Sequence, residues 1–440
     1  MLRRSPHDRE IWTLALPALG ALIAEPLFVA TDTAMVGHLG SNALAGLAIA
    51  GTVMQTAIGL LVFLAYASTP AVARRLGSGD QRGGVQIGID GLWLALALGA
   101  FLAALGALTA RPLIAAFGPT DAVADAAHKY LAVAVWGLPG MLLVIAATGL
   151  FRGLRDTRTP LVVAGVGAVA NALLNALLIY GFGWGIAGSA AGTVITQWAM
   201  AAACVAVAVR HGRRAGASTA PTLRNIRFVA QAGGWLFVRT LSLRLVLIGV
   251  TVTATSHGTV VVAGTQVVLT LFMLIALALD ALAIAAQTMI GHHLGAREPD
   301  AARSVLRRLM QLSVVGGVVI GVLLVAASPV LGRVFTSDAD VLAVTPIGFC
   351  VLALGLPVAA AVFALDGVLI GAGDARYLAW TGLAQLAVVV PLLVVVARLD
   401  LGSIAAVALV QGVVSVVYML ARLATLWPRA RSGRWIRLGA

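Results

Sequence analysis

Gly149-Leu-Phe-Arg-Gly-Leu-Arg-Asp156 returns in the second half of the chain as Gly367-Val-Leu-Ile-Gly-Ala-Gly-Asp374, with two glycines and the final aspartate at matching positions. Two further loop signatures recur at the same offset in sequence number: Leu39-Gly40-Ser41 with Ala45-Gly46 becomes His257-Gly258-Thr259 with Ala263-Gly264, and Leu76-Gly77 with Asp80 becomes Leu294-Gly295 with Glu298. One such match in a glycine-rich chain is weak evidence. Three matches in one register indicate an internal duplication.

The composition is that of a polytopic membrane protein. Hydrophobic residues make up 60% of the chain, charged residues only 11%, and the mean hydropathy is +1.00. The long apolar runs show no alternation, which excludes a β-barrel and predicts an all-α bundle. We expect twelve transmembrane helices, near residues 11–36, 48–73, 88–110, 126–149, 160–181, 185–209, 228–256, 260–290, 307–332, 342–370, 377–397 and 402–426.

Six helices per half is an even number, so both halves enter the membrane from the same side and the repeat is parallel. Duplicated membrane halves are usual in secondary transporters, with the site between or within them. The predicted segments are a cytoplasmic tail (1–10), an N-lobe (11–209), a basic cytoplasmic linker (210–227), a C-lobe (228–426) and a basic cytoplasmic tail (427–440).

The net charge of +13 is explained by topology. Most of the 30 arginines and lysines fall at the termini or in the loops of one face, a distribution that places both termini in the cytoplasm. We therefore expect a multi-pass protein of the cell (inner) membrane that contacts lipids and binds no nucleic acid.

Other function classes find little support in the sequence. Cys204 and Cys350 fall inside predicted helices and are interpreted as packing residues, so no metal site or cofactor is expected. His292 and His293 are adjacent at a helix end and point apart, and no His-Glu-x-x-His or Walker A pattern occurs. We expect a protein that is neither an enzyme nor an ATPase.

Four acids lie inside predicted helices: Glu25, Asp32, Asp280 and Asp366. Each costs roughly 2.5–3.5 kcal/mol to insert, so such residues pair, line a cavity or carry function. Glu25 and Asp32 are seven residues apart on one face, with Pro26 between them to favour a bend. This stripe could hold a proton or a cation. The alternative is that Asp32 is an interfacial acid reaching water, and Asp90 is expected to reach the interface from a helix end.

Polar and basic residues supply candidate partners for these acids. Asn171 and Asn175 form an i, i+4 pair that could complete a cation shell or hydrogen-bond a buried acid. The alternative is that they, with Thr193, Thr196 and Gln197 on the next helix, only hold helices together. Arg239 needs a partner, either Asp280 or Asp366, and we expect a structural or gating ion pair.

Several motifs resemble the MATE (multidrug and toxic compound extrusion) family. In the first half these are Ala15-Leu-Pro17, Thr31-Asp-Thr-Ala-Met-Val-Gly-His-Leu-Gly40, Gly153-Leu-Arg-Asp-Thr-Arg-Thr-Pro160, Asn171-Ala-Leu-Leu-Asn175 and Gly188-Ser-Ala-Ala-Gly-Thr193. In the second half, Leu279-Asp280, Ala285-Ala-Gln287 and Leu365-Asp-Gly-Val-Leu-Ile-Gly-Ala-Gly-Asp374 are similar to the DinF branch. The resemblance implies an antiporter for drugs or metabolites, with two six-helix lobes around a V-shaped central cavity.

The resemblance also implies a cation site in the N-lobe, formed by Asp32, Asn171 and Thr193, and a bend of the first helix at Pro17. Where many members have a second acid, this chain has Asn175, which removes one negative charge. We therefore expect proton coupling through Asp32, with sodium as the alternative.

The expected substrates are amphipathic organic cations, and the expected oligomeric state is a monomer. A lipid-linked oligosaccharide flippase of the same superfamily is the alternative function. The sequence weighs against it, because two basic residues, Arg239 and Arg244, are expected to be buried in the helices, against four acids.

Overall fold

The computed structural model describes residues 5–439, which are entirely helical apart from short connectors. Twelve helices in this range are long and apolar enough to cross a membrane, which confirms the predicted number of six per half. They are α1 (Asp8–Gly37), α2 (Ser41–Gly77), α3 (Gln81–Ala115), α4 (Asp121–Gly153), α5 (Arg158–Gly181), α6 (Gly185–Ala215), α7 (Leu223–Thr255), α8 (Thr259–Gly295), α9 (Pro299–Val334), α10 (Ala339–Gly371), α11 (Ala375–Ala397) and α12 (Ser403–Arg431).

The helix boundaries repeat with the offset of the loop signatures. Four helices of the second half begin at that same offset from their counterparts: Thr259 after Ser41, Pro299 after Gln81, Ala339 after Asp121 and Ser403 after Gly185. The duplication inferred from three loops therefore extends to the length and spacing of whole helices.

The repeated glycines bring two pairs of helices into close contact. A Cβ added at Gly149 on α4 would lie 2.8 Å from the carbonyl oxygen of Ala65 on α2. A Cβ at the equivalent Gly367 on α10 would lie 2.7 Å from the Cα of Ala283 on α8, which is the residue equivalent to Ala65. Real Cβ atoms do not approach so closely, so only glycine permits this packing at both positions.

Helices extend further than predicted at the basic ends. α1 begins at Asp8, inside the predicted tail, and α12 continues to Arg431. The non-helical part of the predicted linker is only 216–222, because α6 runs to Ala215 before Gly216 ends it in a left-handed conformation (φ 68°). Arginine is a good helix former, so basic segments next to apolar helices continue them. Arg3, Arg4 and Ala440 of the predicted tails lie outside the described residues.

The chain forms two compact units. One contains Leu16–Gly233, and the other contains residues 5–15 together with Gly234–Gly439. The chain therefore passes between units inside α1 and inside α7, rather than within the linker between the halves. The V-shaped cavity between lobes stays a prediction.

The acid of the second loop signature caps a helix. Asp80 precedes α3 and accepts hydrogen bonds from the backbone N–H of Gly83 (2.8 Å) and from Arg75 Nη1 (2.7 Å). These two bonds lower the pKa of Asp80 below its ordinary value, since both favour the charged carboxylate. Glu298, its equivalent, precedes α9 and pairs with His293 (2.8 Å).

We expect the Asp80→Ala substitution to lower the free energy of unfolding by about 1 kcal/mol, because the capped N–H of Gly83 loses its acceptor. The lowered pKa means that the cap contributes at neutral pH and is lost as the pH falls below about 4. Thermal unfolding in detergent at pH 7 measures the loss. Asp125→Ala is the control, since Asp125 makes only an exposed ion pair with Lys129. Equal melting temperatures for both variants would contradict the capping role.

Candidate functional site

Asp32, near the end of α1, is buried at the centre of a hydrogen-bond cluster. Its Oδ1 accepts hydrogen bonds from Asn175 Nδ2 on α5 (3.0 Å) and from the hydroxyl of Ser189 on α6, and its Oδ2 accepts one from Tyr130 on α4 (3.3 Å). All three donors are neutral. Within residues 5–439, no arginine or lysine forms a salt bridge with Asp32.

The amides predicted from the sequence extend this cluster. Asn171 Oδ1 accepts from Asn175 Nδ2 (3.2 Å), and Asn171 Nδ2 donates to Thr193 Oγ1 (3.2 Å). Thus Asp32, Asn171, Asn175 and Thr193, which lie on three different helices, are brought together and buried. Asn175 Oδ1 is buried and has no hydrogen-bond partner among residues 5–439, so one acceptor in the cluster is free there.

Small residues on α6 make this convergence sterically feasible. Gly188 and Gly192 are four residues apart on one face, next to the two hydroxyl residues Ser189 and Thr193. A Cβ at Gly188 would lie 2.8 Å from the carbonyl oxygen of Leu178, and one at Gly192 would overlap the side chain of Asn175. The glycines therefore let α5 approach α6 closely enough for the polar side chains to meet.

Sequence reasoning missed two of the three residues that donate to Asp32. Ser189 lies inside the quoted Gly188–Thr193 motif, so its position beside Thr193 was the available signal. Tyr130 carries no comparable signal, because a tyrosine near a helix end is also typical of an interfacial anchor.

Other residues predicted for this region are not part of the cluster. Glu25 is exposed and makes no hydrogen bond with any residue in the described range, although it shares a helix face with Asp32. Pro17 and Pro26 lie inside α1, which continues through both. Their predicted role in bending stays a prediction.

A second polar cluster lies in the C-terminal half, around Asp366 on α10. Arg239 on α7 contacts Asp366 Oδ2 at 2.7 Å, which is one of the two pairings predicted for this arginine. Arg422 on α12 binds the same carboxylate oxygen and is buried, while Arg239 is slightly more exposed. The carboxylate and both guanidinium groups border a small cavity with Thr381 and Gln385.

The charges inside the helices differ from the sequence count. Arg422, which was not counted among the buried basic residues, is buried, whereas Arg244 and Glu25 are exposed. Asp280 is partly buried. Burial depends on the rotation of each helix about its axis, which an all-round apolar helix leaves undefined in the sequence. The count of two buried basic and four buried acidic residues therefore included exposed residues and left out Arg422.

Comparison with known proteins supports the resemblance. The MatE family model matches residues 17–177 and again 236–395, so each half of the repeat matches separately. The chain belongs to the MATE family. It is therefore an ion-coupled membrane transporter of small organic compounds and not an enzyme.

Similar proteins occur in plants and bacteria. Protein DETOXIFICATION 44, chloroplastic, of Arabidopsis thaliana is 30% identical over 385 residues, covering 84% of this chain and 73% of that protein. DNA damage-inducible protein F of Escherichia coli K12 is 27% identical over 372 residues, covering 83% and 81%. These relatives agree with the predicted DinF-like branch of the MATE family.

Solved structures share the fold. The Vibrio cholerae MATE transporter VcmN in its bent form matches with a TM-score of 0.87 at 20% identity, over 98% of both chains. A MOP superfamily transporter from Pyrococcus furiosus matches with a TM-score of 0.87 at 18% identity, over 99% and 98% of the chains.

We expect Asp366→Asn to destabilise the protein by about 3 kcal/mol, because two buried guanidinium groups lose the charge that they share. Thermal unfolding in detergent measures the effect. Asp300→Asn is the matched control, since the Asp300 side chain is 92% exposed in its pair with Arg303. A melting temperature equal to that of the control would mean that Asp366 does not stabilise this cluster.

Proposed function

We propose that this transporter exports amphipathic organic cations across the cell membrane in exchange for protons, with Asp32 as the proton carrier. Names of relatives such as the probable multidrug resistance protein NorM of Thermotoga maritima, 24% identical over 390 residues, support drug-like substrates. The basic loops of the sequence support termini in the cytoplasm.

The observation that carries this proposal is the chemistry around Asp32. A single buried carboxylate receives three hydrogen bonds from neutral donors and has no cationic partner in the described part of the chain. Such a group can gain and lose a proton without breaking a salt bridge. Asp366 differs, since protonating it would leave two buried arginines without their shared counter-charge.

Protonation of Asp32 would change the contacts of α1 with three other helices. Hydrogen bonds to a charged carboxylate are roughly twice as strong as neutral ones. Neutralising Asp32 therefore weakens its bonds to Tyr130 on α4, Asn175 on α5 and Ser189 on α6 together. We infer that this releases α1 to bend near Pro17 or Pro26 and repack. Coupling follows because the substrate binds one of the two states more strongly.

Asn175 favours a proton over sodium as the coupling ion. Its amide nitrogen faces Asp32 as a donor, where a second acid would have added negative charge for a metal cation. Sodium prefers several oxygen ligands with compensating charge, whereas a proton needs one carboxylate. A sodium ion would have to be bound by the unpartnered Asn175 Oδ1 and the Thr193 hydroxyl in addition to Asp32.

Ethidium export from proteoliposomes distinguishes the ions when proton and sodium gradients are imposed separately. We expect export driven by protons alone and reduced to background in Asp32→Asn, with Asp125→Asn, which changes an exposed acid, as control. Sodium-driven export would overturn the proton assignment. No export under either gradient, with translocation of a lipid-linked oligosaccharide instead, would favour the flippase, whose headgroup the Arg239 and Arg422 pair could contact.

The donors to Asp32 should set the pH at which export occurs. Removing one donor with Ser189→Ala favours the protonated carboxyl, because hydrogen bonds to a carboxylate stabilise its charged form. We expect the pH of half-maximal ethidium export to rise by about one unit, which corresponds to about 1.4 kcal/mol. Thr52→Ala, which removes an exposed hydroxyl bonded only to its own helix, is the control. An unchanged pH profile would mean that the hydrogen bond from Ser189 does not influence proton coupling.

A further inference from the structure

A buried arginine on α9 binds the first residues of α1. Arg308 on α9 binds the carboxylate of Asp8 with two hydrogen bonds, Nε to Oδ1 at 2.6 Å and Nη2 to Oδ2 at 2.8 Å. One turn earlier on α9, Ser304 Oγ lies 3.1 Å from His7 Nε2. Residues 5–15 accordingly belong to the unit that contains Gly234–Gly439.

A buried aspartate on α3 binds the residues that lead into α7. Asp90, which was expected to reach the interface, is fully buried, and it accepts hydrogen bonds from the Thr222 N–H (2.8 Å) and from Asn225 Nδ2 (2.8 Å). One turn earlier on α3, Gln86 Oε1 accepts from the Ser218 N–H (2.8 Å). The segment from the linker to Gly233 therefore belongs to the unit that contains Leu16–Gly233.

The contacts made by Arg308 and Asp90 occupy equivalent positions of the repeat. At the offset of the loop signatures, Arg308 is the equivalent of Asp90, and Ser304 is the equivalent of Gln86. The points where the chain passes between units, Ala15–Leu16 and Gly233–Gly234, are separated by the same offset. The anchoring residue is an acid, Asp90, in one half and a base, Arg308, in the other, yet the arrangement is the same. In both halves, the start of the first helix (α1 or α7) belongs to the other unit.

Each crossing point contains residues that weaken a helix. Pro17 in α1 lacks an N–H, which removes one helical hydrogen bond next to the crossing. The crossing in α7 is the pair Gly233–Gly234, and glycine pairs are a usual cause of helix bends. Gly233 packs closely, since an added Cβ would lie 2.6 Å from Phe63 Cδ2, whereas a Cβ at Gly234 would meet no atom within 4 Å.

We propose that Asp90 and Arg308 are paired anchors that hold the exchanged segments, residues 5–15 and 216–233, fixed to their adopted units throughout transport. The bending that transport requires is then confined to the crossing points next to Pro17 and at Gly233–Gly234. This device is independent of which ion drives transport, and it would operate equally with sodium.

Reversible cross-linking tests the anchorage. In a background of Cys204→Ala and Cys350→Ala, the pairs His7→Cys with Ser304→Cys and Gln86→Cys with Ser218→Cys are joined by a short bis-methanethiosulfonate reagent. Ethidium export is measured before and after release with dithiothreitol. We expect efficient cross-linking and export within twofold of the released protein in both variants, because these contacts do not open. Failure to cross-link, or a tenfold loss of export that dithiothreitol restores, would overturn the proposal.

A glycine substitution separates a hinge from a merely structural attachment. Gly234→Ala adds a methyl group that meets no neighbour and stiffens α7 at the crossing. We expect at least a fivefold slower export at a melting temperature that is not lowered. Gly316→Ala on α9 is the matched control, since a Cβ there also meets nothing within 4 Å, and it should export at the wild-type rate. Equal export rates for both variants would overturn the assignment of a hinge to Gly233–Gly234.

Discussion

A carboxylate placed among apolar helices must be given hydrogen-bond donors, and this requirement organises the polar interior of both halves. The protein meets it in three ways. Asp32 receives neutral side-chain donors from three helices, Asp366 receives two arginines, and Asp90 receives a backbone N–H with side-chain amides. Protonating Asp366 would remove the counter-charge that two arginines share, whereas Asp32 and Asp90 have only neutral donors. The donors to Asp32 come from three other helices, whereas those to Asp90 come from its own helix, the linker and the start of α7. That difference in partners is what singles out Asp32 among the buried acids.

The duplication preserved packing and let chemistry diverge. The glycines of α4 and α10 and the starts of four helix pairs coincide at one offset. Val250, fully buried, occupies the position equivalent to Asp32, and Cys204 occupies the position equivalent to Arg422. Close packing through glycine cannot tolerate a change, whereas a buried ionic site can be replaced by apolar residues. One half thus retains a titratable cluster and the other a fixed ion-pair cluster.

The sequence predicted much of this arrangement, for physical reasons that also explain what it missed. Helix number follows from apolar length, and the repeat follows from glycines that steric contact forbids to vary. Asp32, Asn171, Asn175 and Thr193 could be grouped through motifs that resemble a known family. The partners contributed by other helices were harder to predict, because they depend on how each helix is rotated about its axis. Tyr130, Arg422 and the burial of Asp90 were all missed for this reason.

Proton release on substrate binding tests the central role of Asp32 most directly. Purified protein in weakly buffered detergent solution is mixed with saturating ethidium while the pH is recorded. The experiment is done at two starting pH values, one above and one below the pH of half-maximal export. If the substrate competes with the proton on Asp32, wild-type protein releases about one proton per ethidium bound at the lower pH, and Asp32→Asn releases none. The same release from Asp32→Asn as from wild type would contradict the assignment of the coupled proton to this carboxylate.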